Sequence, residues 1–213
     1  MPMSVGRFNA QLRRQGQDMG WAKAARCPCR DIDSGAARRG CPICHSIGVF
    51  WSAPVASHAG LAGMKVQREW QSFGEYQSGD VVVSVPSDTP LYACGENDRV
   101  TFSQSSRSFD VVLTRGDPGE IIRSRVIAFD RCFRLTPDGR AISECDLPLQ
   151  NADGTVAFAA GVVQPDVGQQ YTVMGRCRPE YFLFKDLAQD RAHYGGLALP
   201  RKLALRLFDL FAR

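Results

Sequence analysis

Histidine is scarce in this chain: three in 213 residues, His45, His58 and His193. No Gly-x-Ser-x-Gly elbow, His-Glu-x-x-His pair or glycine-rich phosphate loop occurs, which removes the common sequence signatures of hydrolases, metalloproteases and nucleotide-binding enzymes. Asp186, Asp190 and His193 are the nearest thing to a catalytic grouping, and their setting reads as a solvated loop. No catalytic residue is assigned, and the chain is not expected to be an enzyme. There is also no run of ~18 apolar residues, so no membrane-spanning helix is expected. The opening MPMSVGRFNAQLRRQGQ lacks the apolar stretch of a secretory signal. The expectation is a soluble protein made inside the cell, with no membrane partner. Internal repeats and low-complexity tracts are absent as well.

Apolar residues make up 44% and charged residues 23% of the 23.5 kDa chain. A chain of this size buries roughly 70% of its unfolded surface, enough for a core without covalent staples. The net charge of +4 is unevenly spread. Residues 1–48 carry 8 Lys+Arg against 3 Asp+Glu, residues 49–175 carry 10 against 15, and residues 176–213 carry 8 against 4. Basic ends around an acidic middle suit docking on acidic neighbours in an assembly, and fit poorly with one basic face laid along nucleic acid.

Eight cysteines in a chain without a secretory signal argue against a disulfide framework. Four of them are clustered, as Cys27-Pro-Cys29 and Cys41-Pro-Ile-Cys44 separated by eleven residues. A C-x-C and a C-x2-C pair is a way of placing four thiolates around one tetrahedral ion at ~2.3 Å from each sulfur. Pro28 and Pro42 stiffen the turns. The loop between, RDIDSGAARRG, is polar and contains Gly35 and Gly40, so it wraps without a core of its own. Four thiolates and Zn2+ leave a charge near −2, which Arg26, Arg30, Arg38 and Arg39 are placed to offset while favouring the thiolate forms. Cys27, Cys29, Cys41 and Cys44 are therefore the candidate ligands of a structural Zn2+; an iron–sulfur site or four packed thiols are the alternatives. Cys41-Pro-Ile-Cys44-His45 also has the form of a haem-attachment motif, but that reading leaves Cys27 and Cys29 without a role. His45 is either an outer hydrogen-bonding neighbour of the ligands or a ligand in place of one cysteine. Of the scattered cysteines, Cys132 and Cys145 flank an Asp138-Gly139 turn. Pairing Pro137 with Arg140 sets them opposite each other as packed thiols.

The fold class expected is mainly β: a small zinc knuckle with an N-terminal arm, followed by a β-sandwich or β-barrel-like domain. Residues 1–25 are the arm, with Phe8 and Leu12 on a short amphipathic helix broken near Gly16 or Gly20; residues 26–48 are the knuckle. From Val49 short strands alternate with turn formers at the 8–12-residue spacing of sandwiches and barrels. The candidates are Val49–Trp51, Lys65–Trp70, Asp80–Val85, Arg99–Ser103, Phe109–Thr114, Ile121–Phe129, Cys132–Leu135, Ala141–Cys145, Gln170–Arg176 and Glu180–Lys185. The apolar VVVSVP belongs in the middle of a sheet. These strands form a β domain over 49–185, and 186–213 is a C-terminal extension that docks on neighbours. After Pro200, alternating Leu203, Leu205 and Leu207 favour a strand, although Leu203, Leu207, Leu210 and Phe211 also fit one helical face.

Trp21, Phe50 and Trp51 flank the knuckle near Arg13, Arg14, Lys23 and Arg26, the pairing of aromatic and basic groups that single-stranded nucleic acid requires. The simpler reading makes Phe50 and Trp51 the seam between knuckle and β domain. The segments QLRRQGQDMGWAKAARCPC, CPIC, SGDVVVSVPSDTPLY, GENDRVTF and RPEYFLFKDLAQDRAHYGGLALPRK together resemble virion structural proteins of tailed bacteriophages. The resemblance implies a head–tail neck component of connector, head-completion or collar type. Its copies would form a homo-oligomeric ring between portal and tail proteins, assembled in the host cytoplasm, around a channel whose DNA it contacts non-specifically. The acidic middle would then line that channel and keep DNA from sticking. Another virion part (tail, baseplate or decoration protein) and a zinc-dependent nucleic-acid-binding protein are the alternatives.

Overall fold

A computed structural model describes residues 4–62, 71–72, 77–136, 138–187 and 193–210. In chain order the elements begin with helix α1 (Val5–Gln15), β1 (Gln17–Ala22), β2 (Ala24–Arg26), β3 (Val49–Trp51), β4 (Val55–Leu61) and β5 (Val81–Val85). They continue with β6 (Arg99–Phe102), β7 (Arg107–Thr114), β8 (Val126–Leu135), β9 (Ile142–Cys145), β10 (Leu149–Gln150) and β11 (Val156–Ala157). The last are β12 (Gln170–Cys177), β13 (Glu180–Leu187), β14 (His193–Tyr194), β15 (Leu197–Ala198) and β16 (Arg201–Leu207). The protein is mainly β. It divides into two compact units, residues 1–104 with 180–213, and residues 105–179.

The first unit is a closed six-stranded barrel in the order β1-β4-β5-β16-β13-β6, with every neighbouring pair antiparallel. Closure removes the exposed edges that an open sheet of these strands would carry. Alternation decides what fills it: Val83 and Val85 of β5 and Leu203 and Leu205 of β16 meet Met19, Ala59, Val100, Phe102 and Leu183 in one core. Val82 and Ala204, one residue out of phase, belong to a separate small cluster. The expectation that VVVSVP lies centrally in a sheet holds, as does the strand beginning after Pro200. Residues 186–213 were expected to form an extension, yet β16 lies between β5 and β13 with Leu203 and Leu205 buried. Likewise the arm of residues 1–25 supplies β1, a barrel strand.

Helix α1 starts at Ser4, whose hydroxyl accepts from the Arg7 N–H, and ends at Gly16. It docks through Val5 and Asn9, the latter hydrogen-bonded to Ser87, whereas Phe8 of the expected apolar pair is exposed. Leu12 lies over Gly60 of β4, where a Cβ would come within 2.9 Å of its side chain. At Gly16 a Cβ would stand 2.5 Å from the Ala59 carbonyl and from His58 Nε2. Gly16→Ala is therefore expected to destabilise the protein by ~1–3 kcal/mol by displacing the helix from β4, measurable by urea denaturation.

The second unit is inserted between two neighbouring barrel strands, since β6 and β13 pair through Thr101 and Glu180. It holds a four-stranded antiparallel sheet, β7-β12-β8-β9, and a core of Leu113, Ile122, Cys132, Cys145, Val156, Tyr171 and Val173. Glu120 is buried and accepts from the Tyr171 hydroxyl (2.6 Å), the Gly116 N–H (2.8 Å) and Arg115 (3.2 Å). The sequence reading of one β domain over 49–185 thus gives way to two bodies. The expected strands at Ile121–Phe129 and Cys132–Leu135 are largely one, β8, with Ile121 making only an isolated bridge to Thr155. The candidate at Lys65–Trp70 lies outside the described residues. Because the two ends of the insertion meet on paired strands, replacing residues 105–179 by a short glycine turn should leave a folded barrel, read by dispersed NMR resonances and a cooperative thermal transition.

The acidic middle is not one structural body. The inserted unit carries nine Lys+Arg and nine Asp+Glu, while 49–104 carries three and six.

Candidate metal centre

Strands β2 and β3 form a two-stranded ribbon in which Ala24, Ala25 and Arg26 pair with Trp51, Phe50 and Val49. This ribbon brings the two ends of the 26–48 segment together. The Cys27 N–H continues the pairing by donating to the Gly48 carbonyl at 2.9 Å. Beyond it two tight turns follow. The Arg30 N–H donates to the Cys27 carbonyl (3.1 Å) and the His45 N–H to the Cys41 carbonyl (2.9 Å). His45 and Ser46 both take positive φ, 48° and 70°, so the chain reverses directly after the last cysteine.

These turns aim four sulfurs at one point. The Sγ atoms of Cys27, Cys29, Cys41 and Cys44 all lie within 4.8 Å of one another. Cys27 and Cys41 are 3.9 Å apart and Cys29 and Cys44 3.4 Å apart. A tetrahedral ion with ~2.3 Å bonds to sulfur requires sulfurs ~3.8 Å apart, so the spacing fits a metal such as zinc. Cys27, Cys41 and Cys44 are buried, and among the described residues the partly buried hydrophobic side chains packed against them are Cys29 and Phe50. The cluster therefore has almost no apolar core of its own to hold it.

The loop between the pairs is tied by polar bonds. Asp31 Oδ1 accepts from the N–H and the hydroxyl of Ser34, both at 2.8 Å, which holds its carboxyl below the usual range. Arg30 Nε donates to the Gly35 carbonyl at 2.7 Å. Cys41 is held down at about 6 by the backbone N–H groups of Cys44 and Ile43. Cys29 is pushed up to about 12, first by burial, with the Arg38 backbone opposing and the other three thiols adding to the rise. The arginines were expected to favour thiolates; at Cys41 backbone N–H groups do so instead. Arg26, Arg30, Arg38 and Arg39 are all exposed, and their charge remains available to offset a tetrathiolate centre.

One buried carboxylate fastens the ribbon to the barrel. Asp98 accepts from Trp21 Nε1 (2.9 Å), the Ala24 N–H (2.7 Å) and the Gly95 N–H (2.9 Å). Nothing in the local pattern Gly95-Glu96-Asn97-Asp98 separates the buried Asp98 from the exposed Glu96 and Asn97. Trp51 Nε1 donates to the Asn97 carbonyl (3.0 Å), and its ring meets Phe208 edge-on at 5.1 Å. Arg99 lies over the Phe208 ring at 4.3 Å and pairs with the buried Glu180. Phe50 and Trp51 thus form the seam between knuckle and barrel.

The other candidates are not gathered into a site. Asp186 is paired with Arg201 at 2.7 Å, His193 is exposed in β14, and Asp190 lies outside the described residues. His58 sits in β4, with Asp18 3.1 Å from its Nδ1 and the Leu12 carbonyl 3.1 Å from its Nε2. Among the described residues the four-cysteine cluster is the one grouping of metal-ligating side chains, and His45 is not part of it. No protein-family model matches the chain, and no curated protein matches it in sequence.

Proposed function

We propose that the chain is a structural subunit of a tailed-bacteriophage particle, placed in the neck between portal and tail as one copy of a ring, with Zn2+ held by Cys27, Cys29, Cys41 and Cys44. The observation that carries the assembly reading is apolar exposure. Ile32 and Ile43 of the knuckle are 95% and 64% exposed, and Val112, Leu135 and Ile142 stand out on the inserted sheet. Exposed side chains of this kind are what a subunit offers to neighbours, and head-to-tail contacts of this type close into rings. Strands β1 and β16, from the N-terminal arm and the C-terminal extension, are built into the barrel, and this reading takes the knuckle and the inserted sheet as contact elements.

Within this reading zinc is structural. It supplies the binding energy that the 26–48 segment lacks in apolar packing, and the protein's own part is to preset four sulfurs and the N–H groups that face Cys41. Contact with channel DNA is non-specific. A nucleic-acid-binding module is less well supported, because the Trp51, Phe50 and Trp21 side chains are engaged with Phe208, the cysteines and Asp98 rather than presented for stacking. Sizing by light scattering, alone and after mixing with portal rings, tests the proposal. A ring-sized species, or stoichiometric addition to the portal, supports it; a chain that stays monomeric and ignores the portal contradicts it.

A further inference from the structure

The β8–β9 hairpin sets Cys132 directly opposite Cys145. Both thiols are free and lie in the core of the inserted unit, 0% and 6% exposed. Opposed residues of an antiparallel pair have Cα atoms ~4.5–5.5 Å apart, and a disulfide accepts Cα separations of ~4.4–6.8 Å, so bridging them asks for no change of register. Strand β9 is an edge strand of four residues whose one ladder partner is β8.

We propose that Cys132 and Cys145 form a latent disulfide site: a dithiol in a reducing compartment, converted to an intrachain cross-strand bridge by a small-molecule disulfide, and thereby pinning β9 to the sheet. The inference rests on neither the virion reading nor the metal centre. Cys145, the more accessible of the two, attacks one sulfur of the small disulfide as its thiolate and releases the first small thiolate. The Cys132 thiolate then attacks Cys145 Sγ in the resulting mixed disulfide and releases the second. The protein gives up two electrons and the small disulfide takes them, and the two cysteine protons end on the two released thiols. Burial pushes Cys132 up to about 12 and raises Cys145 as well, so the exchange is slow at neutral pH.

The test uses the full chain, purified under reducing conditions with zinc present, and incubated with oxidised glutathione in dilute urea to allow the hairpin to open. Trypsin cuts after Arg131, Arg134, Arg140 and Arg176, so the two cysteines fall on separate peptides and a bridge joins them. The expected result is that joined pair, two hydrogens lighter than its parts. The thermal midpoint should rise by roughly 5–15 °C, fall back on reduction, and stay unchanged in Cys145→Ser and Cys145→Ala. Two separately alkylated peptides after prolonged exposure would overturn the site, and a bridge without a rise in midpoint would overturn the pinning of β9.

Discussion

Replacing Cys41 by serine is expected to abolish stoichiometric zinc binding and unfold residues 26–48 while the barrel keeps its structure. The ion would lose one of four bonds, and even changes to groups surrounding a ligand cost ~10–100-fold in affinity, so a loss above ~100-fold is expected. The structural consequence follows from what holds the segment together. Its buried cluster is three cysteines with Cys29 and Phe50 alongside, and the rest of the loop is tied by exposed polar bonds. Without a metal these bonds compete with water at little net gain. The barrel core, by contrast, contains none of the four ligands. Limited trypsinolysis should therefore cut Cys41→Ser after the exposed Arg30, Arg38 and Arg39 and spare the barrel, whereas the zinc-loaded native chain resists at all three. A variant that unfolds in one cooperative step would show instead that knuckle and barrel are one folding unit, coupled through Asp98 and Trp51.

The second large effect concerns stability. Asp80→Ala is expected to cost ~3–5 kcal/mol, because it strands a buried guanidinium. The Asp80 side chain is 1% exposed and accepts from Arg206 Nε (3.1 Å) and Nη2 (3.0 Å), with the Gln77 N–H as a third donor at 3.1 Å. Arg206 in turn lies over the Phe184 ring at 3.5 Å. Small domains are stable by ~5–15 kcal/mol, so the loss is a large share of the whole. Replacing both partners, Asp80→Leu with Arg206→Met, removes the stranded charge and should recover most of the loss. Urea denaturation of the single and double variants separates the cases. A single-variant cost below ~1 kcal/mol would mean that the pair is solvated and adds little to the hold on β16.

The metal cluster was legible because ligand spacing is a local property: two cysteines per turn determine where their sulfurs can go. The same holds for the Asp138-Gly139 turn, which set the register that brings Cys132 opposite Cys145, and for the 2-residue alternation of β5 and β16. Strands β1 and β4 were missed for a physical reason. QDMGWA and VASHAGL are poor in β-branched residues, and β4 is small at Gly60 because Leu12 of α1 lies against it. The barrel closes through contacts between residues far apart in sequence, such as Met19 with Phe102, which no local pattern encodes. The insertion of 105–179 was hidden by its own regularity, since the strand–turn rhythm continues unchanged across both junctions. Asp98 was overlooked because an acidic turn looks solvated until the tryptophan and two N–H groups around it are known.

Native mass spectrometry of the reduced protein, with Cys41→Ser alongside, tests the metal centre most directly. One zinc ion is expected on each native chain and none on the variant. Native protein that carries no metal, with all four thiols freely alkylated in zinc-containing buffer, would contradict it.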